Sequence, residues 1–312
     1  MEQLNNKKQQ RLNWAADRAE METGTYKHLR YGKKFKRKWS LFDFMVKIFG
    51  MLLKRTPLYK RGYNNARNIT LNEIDLHFDN LPAAFDGYSI LHMTDLHLDS
   101  LPGLDQKVCE VIRNTHVDVC VLTGDFREKT DGTFNNIIEP LQQIVNAIKH
   151  RDGIYATLGN HDTCRMVAPF EKTGLSMLVN ETITITRGNS RISITGLDDP
   201  HYYYTEKSLE ALEASDDGFK IALVHTPSLF DLASENNYSL YLTGHTHGGQ
   251  ICLPGGFPII RHLRHGRQFY RGIWRFNKMT GYTGQGVGVV GIPVRFNTQS
   301  EITILTLHTK KD

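Results

Sequence analysis

The sequence predicts an α/β fold whose loops carry polar ligands immediately after short buried strands. Three observations carry that reading. Short apolar runs alternate with helical stretches over residues 88–250. Five of those runs stop abruptly at Asp, Asn or His, the side chains that collect ligands at the carboxyl ends of strands in layered α/β folds. The chain has 312 residues, 40% of them hydrophobic, which suffices for one large domain or two small ones. Nothing repeats at a fixed period, and the four cysteines are scattered without a C-x-x-C pair. A disulfide framework and a zinc knuckle are therefore not expected. Cys164 and Cys252, near the motifs below, read as ordinary small residues.

Charge divides the chain. Residues 1–68 hold 17 Lys and Arg against 5 Asp and Glu, whereas the remainder holds 21 against 28. The expectation is a basic arm over 1–67 joined to a mildly acidic body over 68–312. Residues 1–38 are polar and show no cleavable signal pattern. The following stretch, WSLFDFMVKIFGMLL (39–53), would span about 22 Å as a helix, short of the roughly 30 Å of a hydrocarbon core. Asp43 and Lys47 lie four apart, and Gly50 and Lys54 continue their stripe. Trp39, Phe42, Phe44, Ile48, Phe49 and Leu52 lie on the other faces. This pattern predicts a helix lying in a membrane interface, with flanking cations drawn to an anionic surface. The competing expectation is a helix docked on the protein's own body. No groove-reading motif or aromatic stacking platform points to nucleic acid, and no protein partner is evident.

Within the body, NITLNEIDLHF (68–78) has partial period-two alternation and predicts a first strand. SILHMT (89–94) predicts a buried strand ending in Asp95 and His97. Helical spacing over 104–116 leads to VDVCVL (117–122), which ends in Gly124 and Asp125. A second helix over 134–150 leads to GIYATL (153–158) and then to G-N-H-D (159–162). RISIT (191–195) ends in GLDD, KIALV (220–224) ends in His225, and YSLYL (238–242) ends in G-H-T-H (244–247). EITILTL (301–307) predicts a final strand.

Asp95, His97, Asp125, Asn160, His225, His245 and His247 make seven oxygen and nitrogen donors with no thiolate. That set suits Mn, Fe, Zn or Co and disfavours copper. Seven ligands exceed what one ion with an open position needs, and they suit two ions sharing a carboxylate.

D-x-H, G-D, G-N-H-D, a strand-end His and G-H-T-H, in this order, resemble the five motifs of the calcineurin-like metallophosphoesterases. The resemblance implies a four-layer α/β/β/α sandwich and two divalent cations, Mn foremost. It implies that Asp95, His97 and His247 hold one ion, that Asn160, His225 and His245 hold the other, and that Asp125 bridges. A hydroxide between the ions would attack phosphorus, with His161 on the phosphate and leaving group and Asp162 orienting His161. The tail after G-H-T-H resembles a bacterial membrane-associated phosphodiesterase branch, some of whose members cleave UDP-2,3-diacylglucosamine in lipid A synthesis. That narrower resemblance implies a phosphorylated lipid or nucleotide-sugar substrate and a peripheral location on the cytoplasmic face of the inner membrane. Residues 170–180 or 255–263 would supply apolar lining, and Arg165, Arg261, Arg264 and His265 would contact phosphate or uridine. The alternatives are a phosphodiesterase acting on other phospholipids or nucleotides, and a non-catalytic basic scaffold on the membrane.

Overall fold

The computed structural model describes residues 2–30, 32–36, 40–214 and 217–310. Trp39 and the side chain of Phe42 lie outside the described residues. Three helices lead the chain: α1 (Glu2–Thr23), α2 (Ser40–Leu53) and α3 (Pro57–Arg67). Strand β1 (Ile69–Phe78) and strand β2 (Tyr88–Met93) follow, then helix α4 (Leu104–Ile112) and strand β3 (Val119–Thr123). Next come helix α5 (Ile138–Ala147), strand β4 (Ile154–Thr157), helix α6 (Val167–Glu171) and the short strand β5 (Ser176–Met177). The second half contributes β6 (Glu181–Arg187), β7 (Ser190–Gly196), α7 (Glu206–Glu213), β8 (Phe219–Leu223), α8 (Phe230–Glu235), β9 (Leu240–Thr243), β10 (Gly272–Phe276), β11 (Met279–Thr283) and β12 (Ser300–Thr309).

Two six-stranded sheets result, ordered β1-β12-β2-β3-β4-β5 and β6-β7-β8-β9-β11-β10. Strands β2, β3, β4 and β5 run parallel, as do β7, β8, β9 and β11. Strict alternation tells how the sheets stack. Ile90, Val119 and Val121 of the first sheet meet Ile221, Leu223, Leu240 and Leu242 of the second in one core. Their neighbours Leu91, Met93, Cys120 and Leu122 point the other way, into a core shared with α4 and α5. Ala222 and Tyr241 likewise face α7 and α8. Strands buried on both faces read as continuous apolar runs, which is why the sequence showed them so clearly. The layering is the expected α/β/β/α sandwich.

Helix ends moved inward. The stretch 104–116 is helical only to Ile112, because His116–Val117 pairs in parallel with Lys149–His150. The same pairing ends α5 at Ala147.

The amino-terminal arm does not stand apart as expected. Trp14 of α1 is buried in the core on the α4 and α5 side. Arg18, also on α1, has no exposed surface and pairs with Asp198, stacking its guanidinium 3.5 Å from the ring centre of Tyr203. Arg11 pairs with Glu171 and Glu181. Helix α1 thus turns Arg11, half-buried, and Trp14, Arg18 and Met21, buried, inward along one face at helical spacing. Two of these four are cationic, so apolar periodicity could not reveal the face. Beyond α1, His28 N–H donates to Tyr202 O at 2.8 Å and Arg30 pairs with Asp231.

Helix α2 docks on the body by one face, as the competing expectation had it. Val46, Gly50 and Leu53 pack on Ile292 and Val294 of the body. Gly50 is therefore part of the docked face, not of a solvated polar stripe, because its missing side chain lets Ile292 approach. Phe44, Ile48, Phe49 and Leu52 remain exposed on the remaining surface. Among the described residues no helix is long and apolar enough to cross a membrane.

Candidate metal centre

The parallel strands of both sheets end on the same side of the sandwich. Strand β2 delivers Asp95 and His97, β3 delivers Asp125, and the loop after β4 delivers Asn160 and His161. From the second sheet β8 delivers His225, and β9 delivers His245 and His247. Asp95, His97, Asp125, His245 and His247 all have positive φ, from 39° to 70°. Such backbone costs a non-glycine residue on the order of 1 kcal/mol or more, and here it falls on five of the seven candidate ligands. The turn is what brings each side chain back over its strand end.

The donor atoms form two clusters. His247 Nε2 lies 3.3 Å from Asp95 Oδ1 and 3.2 Å from His97 Nε2. His225 Nε2 lies 3.2 Å from Asn160 Oδ1 and 3.2 Å from His245 Nδ1. Asp125 Oδ2 stands between them, 3.8 Å from His97 Nε2 and 3.2 Å from His225 Nε2. Ligands bound at about 2.0–2.2 Å to one ion lie roughly 3 Å or slightly more from one another. The observed spacings fit.

Two further observations fit a cation. Asp95 Oδ1 is fully buried without a hydrogen-bond partner. Its other oxygen accepts from Thr94 Oγ1 at 2.7 Å and from His245 N–H at 2.8 Å. An ionised oxygen left bare in the interior is costly unless a positive group meets it. The imidazoles also have their outer nitrogens fixed. His97 Nδ1 donates to Arg127 O and His225 Nδ1 donates to Thr123 O, both at 2.7 Å, while His245 Nε2 donates to His262 O at 2.9 Å. Because a carbonyl only accepts, each bond fixes the proton on the outer nitrogen and leaves the inner lone pair free. Burial pushes His97 down to about 3, so that ring is neutral; burial also opposes a charge on His225, but Asp125 at 3.2 Å outweighs it and raises His225 to about 10, so a cation bound there would have to displace that proton.

His161 points Nε2 toward the same space, 3.9 Å from Asp125 Oδ2, and its Nδ1 donates to Glu128 O. Asp162 does not orient it. The Asp162 carboxylate turns inward and accepts the backbone N–H groups of Gly159 and Asp125 at 2.8 Å and of Phe126 at 2.9 Å. It ties the β3 and β4 loops together instead. The reason is local: the two loops offer it three inward N–H groups to satisfy, and Glu128 O already holds the imidazole.

Two buried arginines brace the site from opposite sides. Arg18 Nη2 donates to Gly159 O at 3.3 Å and Asp162 O at 3.1 Å. Glu22, one turn on, accepts from Cys164 N–H at 2.8 Å. Arg295 donates to His247 O at 3.2 Å and to the carbonyls of Gln285 and Gly288 at 2.7 Å. Sequence reasoning missed both, since an isolated Arg carries no motif. It also missed His201, whose ring lies 4.4 Å from that of His245. His201 follows β7 and GLDD, so the strand-end rule extended a few residues would have reached it.

Gly244 is required for room rather than for φ. A Cβ there would lie 1.9 Å from Thr94 Oγ1 and 2.4 Å from Asp95 Oδ2. Gly244→Ala is expected to destabilise the protein by about 1–3 kcal/mol and to lower its metal content, measured by urea unfolding and elemental analysis. A fully loaded variant of unchanged stability would show that the loop gives way freely.

Two cavities meet at Asn160 and Tyr202. One, of about 670 Å³, is lined by polar groups including Lys27, Thr130, Thr133 and Arg165. The other, of about 570 Å³, reaches Asp125, His161, His245 and His247 and is walled by Met45, Phe49, Ile259 and Ile260. Arg165 lines the first of these cavities. Arg261 and Arg264 line neither cavity. His265 lies outside both, stacked on Phe230 and 3.4 Å from Asp231. Of the expected apolar linings, 255–263 contributes and 170–180 does not. Phe170, Leu175, Met177 and Val179 are buried in the core instead.

Comparison with known proteins agrees with this arrangement. A model of the calcineurin-like phosphoesterase family matches residues 88–249. The chain is 31% identical over 293 residues to the uncharacterized metallophosphoesterase YkuE of Bacillus subtilis, covering 88% of this chain and 99% of that protein. It is 26% identical to the uncharacterized metallophosphoesterase YkoQ of the same organism, covering 83% and 98%. Among solved structures, a novel archaeal phosphodiesterase aligns with a TM-score of 0.35 at 15% identity, over 64% of this chain and 84% of that one.

Proposed function

The chain belongs to the calcineurin-like phosphoesterase family, and from that premise we propose that it is a phosphoester hydrolase working through two divalent cations. The observation that carries this reading is Asp125 Oδ2, within 3.8 Å and 3.2 Å of a histidine from each donor cluster. Asp95, His97 and His247 would hold one ion, and Asn160, His225 and His245 the other. Bound there, two cations would supply Lewis acidity at the phosphoryl oxygens and an activated water at neutral pH.

The chain's own groups do the rest. His161, with its Nδ1–H fixed on Glu128 O, turns Nε2 toward the reacting group, and its imidazolium form would donate from Nε2 to a phosphoryl oxygen or to the leaving group. Asp162, Arg18 and Arg295 hold the loops that aim the ligands. The walls at Met45, Phe49, Ile259 and Ile260 make one side of the approach to the reacting group apolar.

The two cavities support a finer reading. A phosphoester with a polar group on one side and an apolar group on the other would occupy both. UDP-2,3-diacylglucosamine has that form, and so do phospholipid diesters. The exposed apolar residues of α2 support a peripheral position on an anionic membrane, at the cytoplasmic face if the lipid A precursor is the substrate. Mn²⁺ is the first ion to try, because the donor set is oxygen and imidazole.

The test is hydrolysis by the purified full chain with Mn²⁺, using bis-p-nitrophenyl phosphate and UDP-2,3-diacylglucosamine in detergent. Turnover of the first is expected to vanish on chelation and return with metal. Chelation should also lower the melting temperature, since ligand at 1,000 times its Kd stabilises the folded state by about 4 kcal/mol. UMP release would establish the lipid substrate. A metal-loaded chain inactive on both would sink the hydrolase reading.

A further inference from the structure

Two stretches far apart in sequence carry exposed apolar side chains and line one cavity together. Helix α2 contributes Phe44, Met45, Phe49 and Leu52, which are between 48% and 60% exposed. The hairpin at 251–260 contributes Leu253, Phe257 and Ile259, between 55% and 66% exposed. Met45 and Phe49 from the helix, and Ile259 and Ile260 from the hairpin, line the same cavity that reaches the metal centre. Val46 and Ile251 pack in one cluster over Ile292, so helix and hairpin are joined at their bases. The hairpin is itself tied down. Cys252 N–H donates to Phe296 O at 2.9 Å, Asn297 Nδ2 donates to Cys252 O at 2.8 Å, and Cys252–Leu253 pairs with Phe257–Pro258. Large side chains on a fixed scaffold around a cavity mouth mark a surface that another apolar phase covers.

Charge selects that phase. Residues 40–67 and 251–275 together hold eleven Lys and Arg against one acidic residue, Asp43. A second copy of the chain would present the same cationic surroundings and be repelled. An anionic headgroup layer over hydrocarbon complements both the apolar ridge and its charge.

We propose that the 251–260 hairpin is a second membrane-docking element, and that with α2 it seats the mouth of the metal-centre cavity against an anionic bilayer. The apolar cavity then takes the hydrocarbon portion of a phosphoester drawn directly from the membrane. This last step rests on the hydrolase reading; the seating rests on geometry and charge alone.

Flotation of the full chain with phosphatidylglycerol/phosphatidylcholine vesicles tests it. The paired changes Leu253→Ser/Phe257→Ser and, separately, Phe44→Ser/Leu52→Ser lie outside the cavity lining. Each pair is expected to weaken vesicle partition by about tenfold or more, with bis-p-nitrophenyl phosphate turnover unchanged. Phe257→Trp adds a second readout, a blue-shifted emission over wild type when vesicles are added. Wild-type partition by the hairpin pair, or no emission shift, overturns the proposal. So does concentration-dependent dimerisation abolished by that pair, which would assign the face to a second copy. Partition without turnover of any diester would leave the docking face standing and sink only the hydrolase reading.

Discussion

Asp125→Asn is expected to lower kcat on bis-p-nitrophenyl phosphate by about 10³-fold, or about 4 kcal/mol, and to reduce bound metal. Asparagine keeps the shape of the side chain. Its Oδ1 can still accept the His161 N–H that Asp125 Oδ1 holds at 2.8 Å. The negative charge at the position between the two donor clusters is what disappears. A neutral amide oxygen is a weaker ligand, and it cannot serve two dications as a carboxylate can. The fold should survive, because the backbone N–H of residue 125 is held by Asp162, which the substitution leaves alone. Elemental analysis, steady-state kinetics and urea unfolding read the three parts separately. Wild-type metal content with undiminished kcat would remove Asp125 from the bridging role.

The second large effect lies where no motif points. Arg18→Met is expected to destabilise the fold by about 3–5 kcal/mol, the cost of stranding one partner of a buried ion pair. Burial opposes the Arg18 charge, yet Asp198 outweighs it and the guanidinium stays ionised. Asp198 also accepts from Trp14 Nε1 at 2.8 Å, so α1 reaches this carboxylate twice. Without the guanidinium, the carbonyls of Gly159 and Asp162 lose a donor at the loop that carries Asn160 and His161. Arg18→Lys should recover part of the loss, since one ammonium cannot span a carboxylate and two carbonyls in the geometry of a planar fork. Equilibrium unfolding in urea with metal content measured alongside checks both variants. A change below about 1 kcal/mol for Arg18→Met would mean that water replaces the arginine and that α1 is only loosely seated.

These two residues also mark the border of what sequence could tell. Asp125 was legible because its signal is local: a β-branched run, a stop, a glycine and a carboxylate. The same holds at Asp95, Asn160, His225 and His245, and five such stops in order identify both the parallel strands and the side on which they end. The continuous β-branched run likewise marked Val119 through Leu122 as a buried strand. Arg18 was not legible, because apart from Glu22 on its own helix its partners are 141 or more residues away. A buried cation on a polar helix looks the same in sequence as a solvated one. Asp162 shows the limit within a motif: its place beside His161 suggested a partner, but backbone donors from two loops claimed the carboxylate first.

By itself, then, the sequence determined the donor set, its order along the strands and the apolar content of residues 39–53, all of which are properties of neighbouring residues. The tertiary structure decided that Asp125 stands between the clusters, that α1 braces the loop it was expected to stand away from, and that α2 and the 251–260 hairpin share one cavity mouth. Each of these is a meeting of distant segments. Burial, the pairing of charges out of water and the packing of one element on another arise only when the chain closes on itself, and no local pattern of residues encodes which partner will be there.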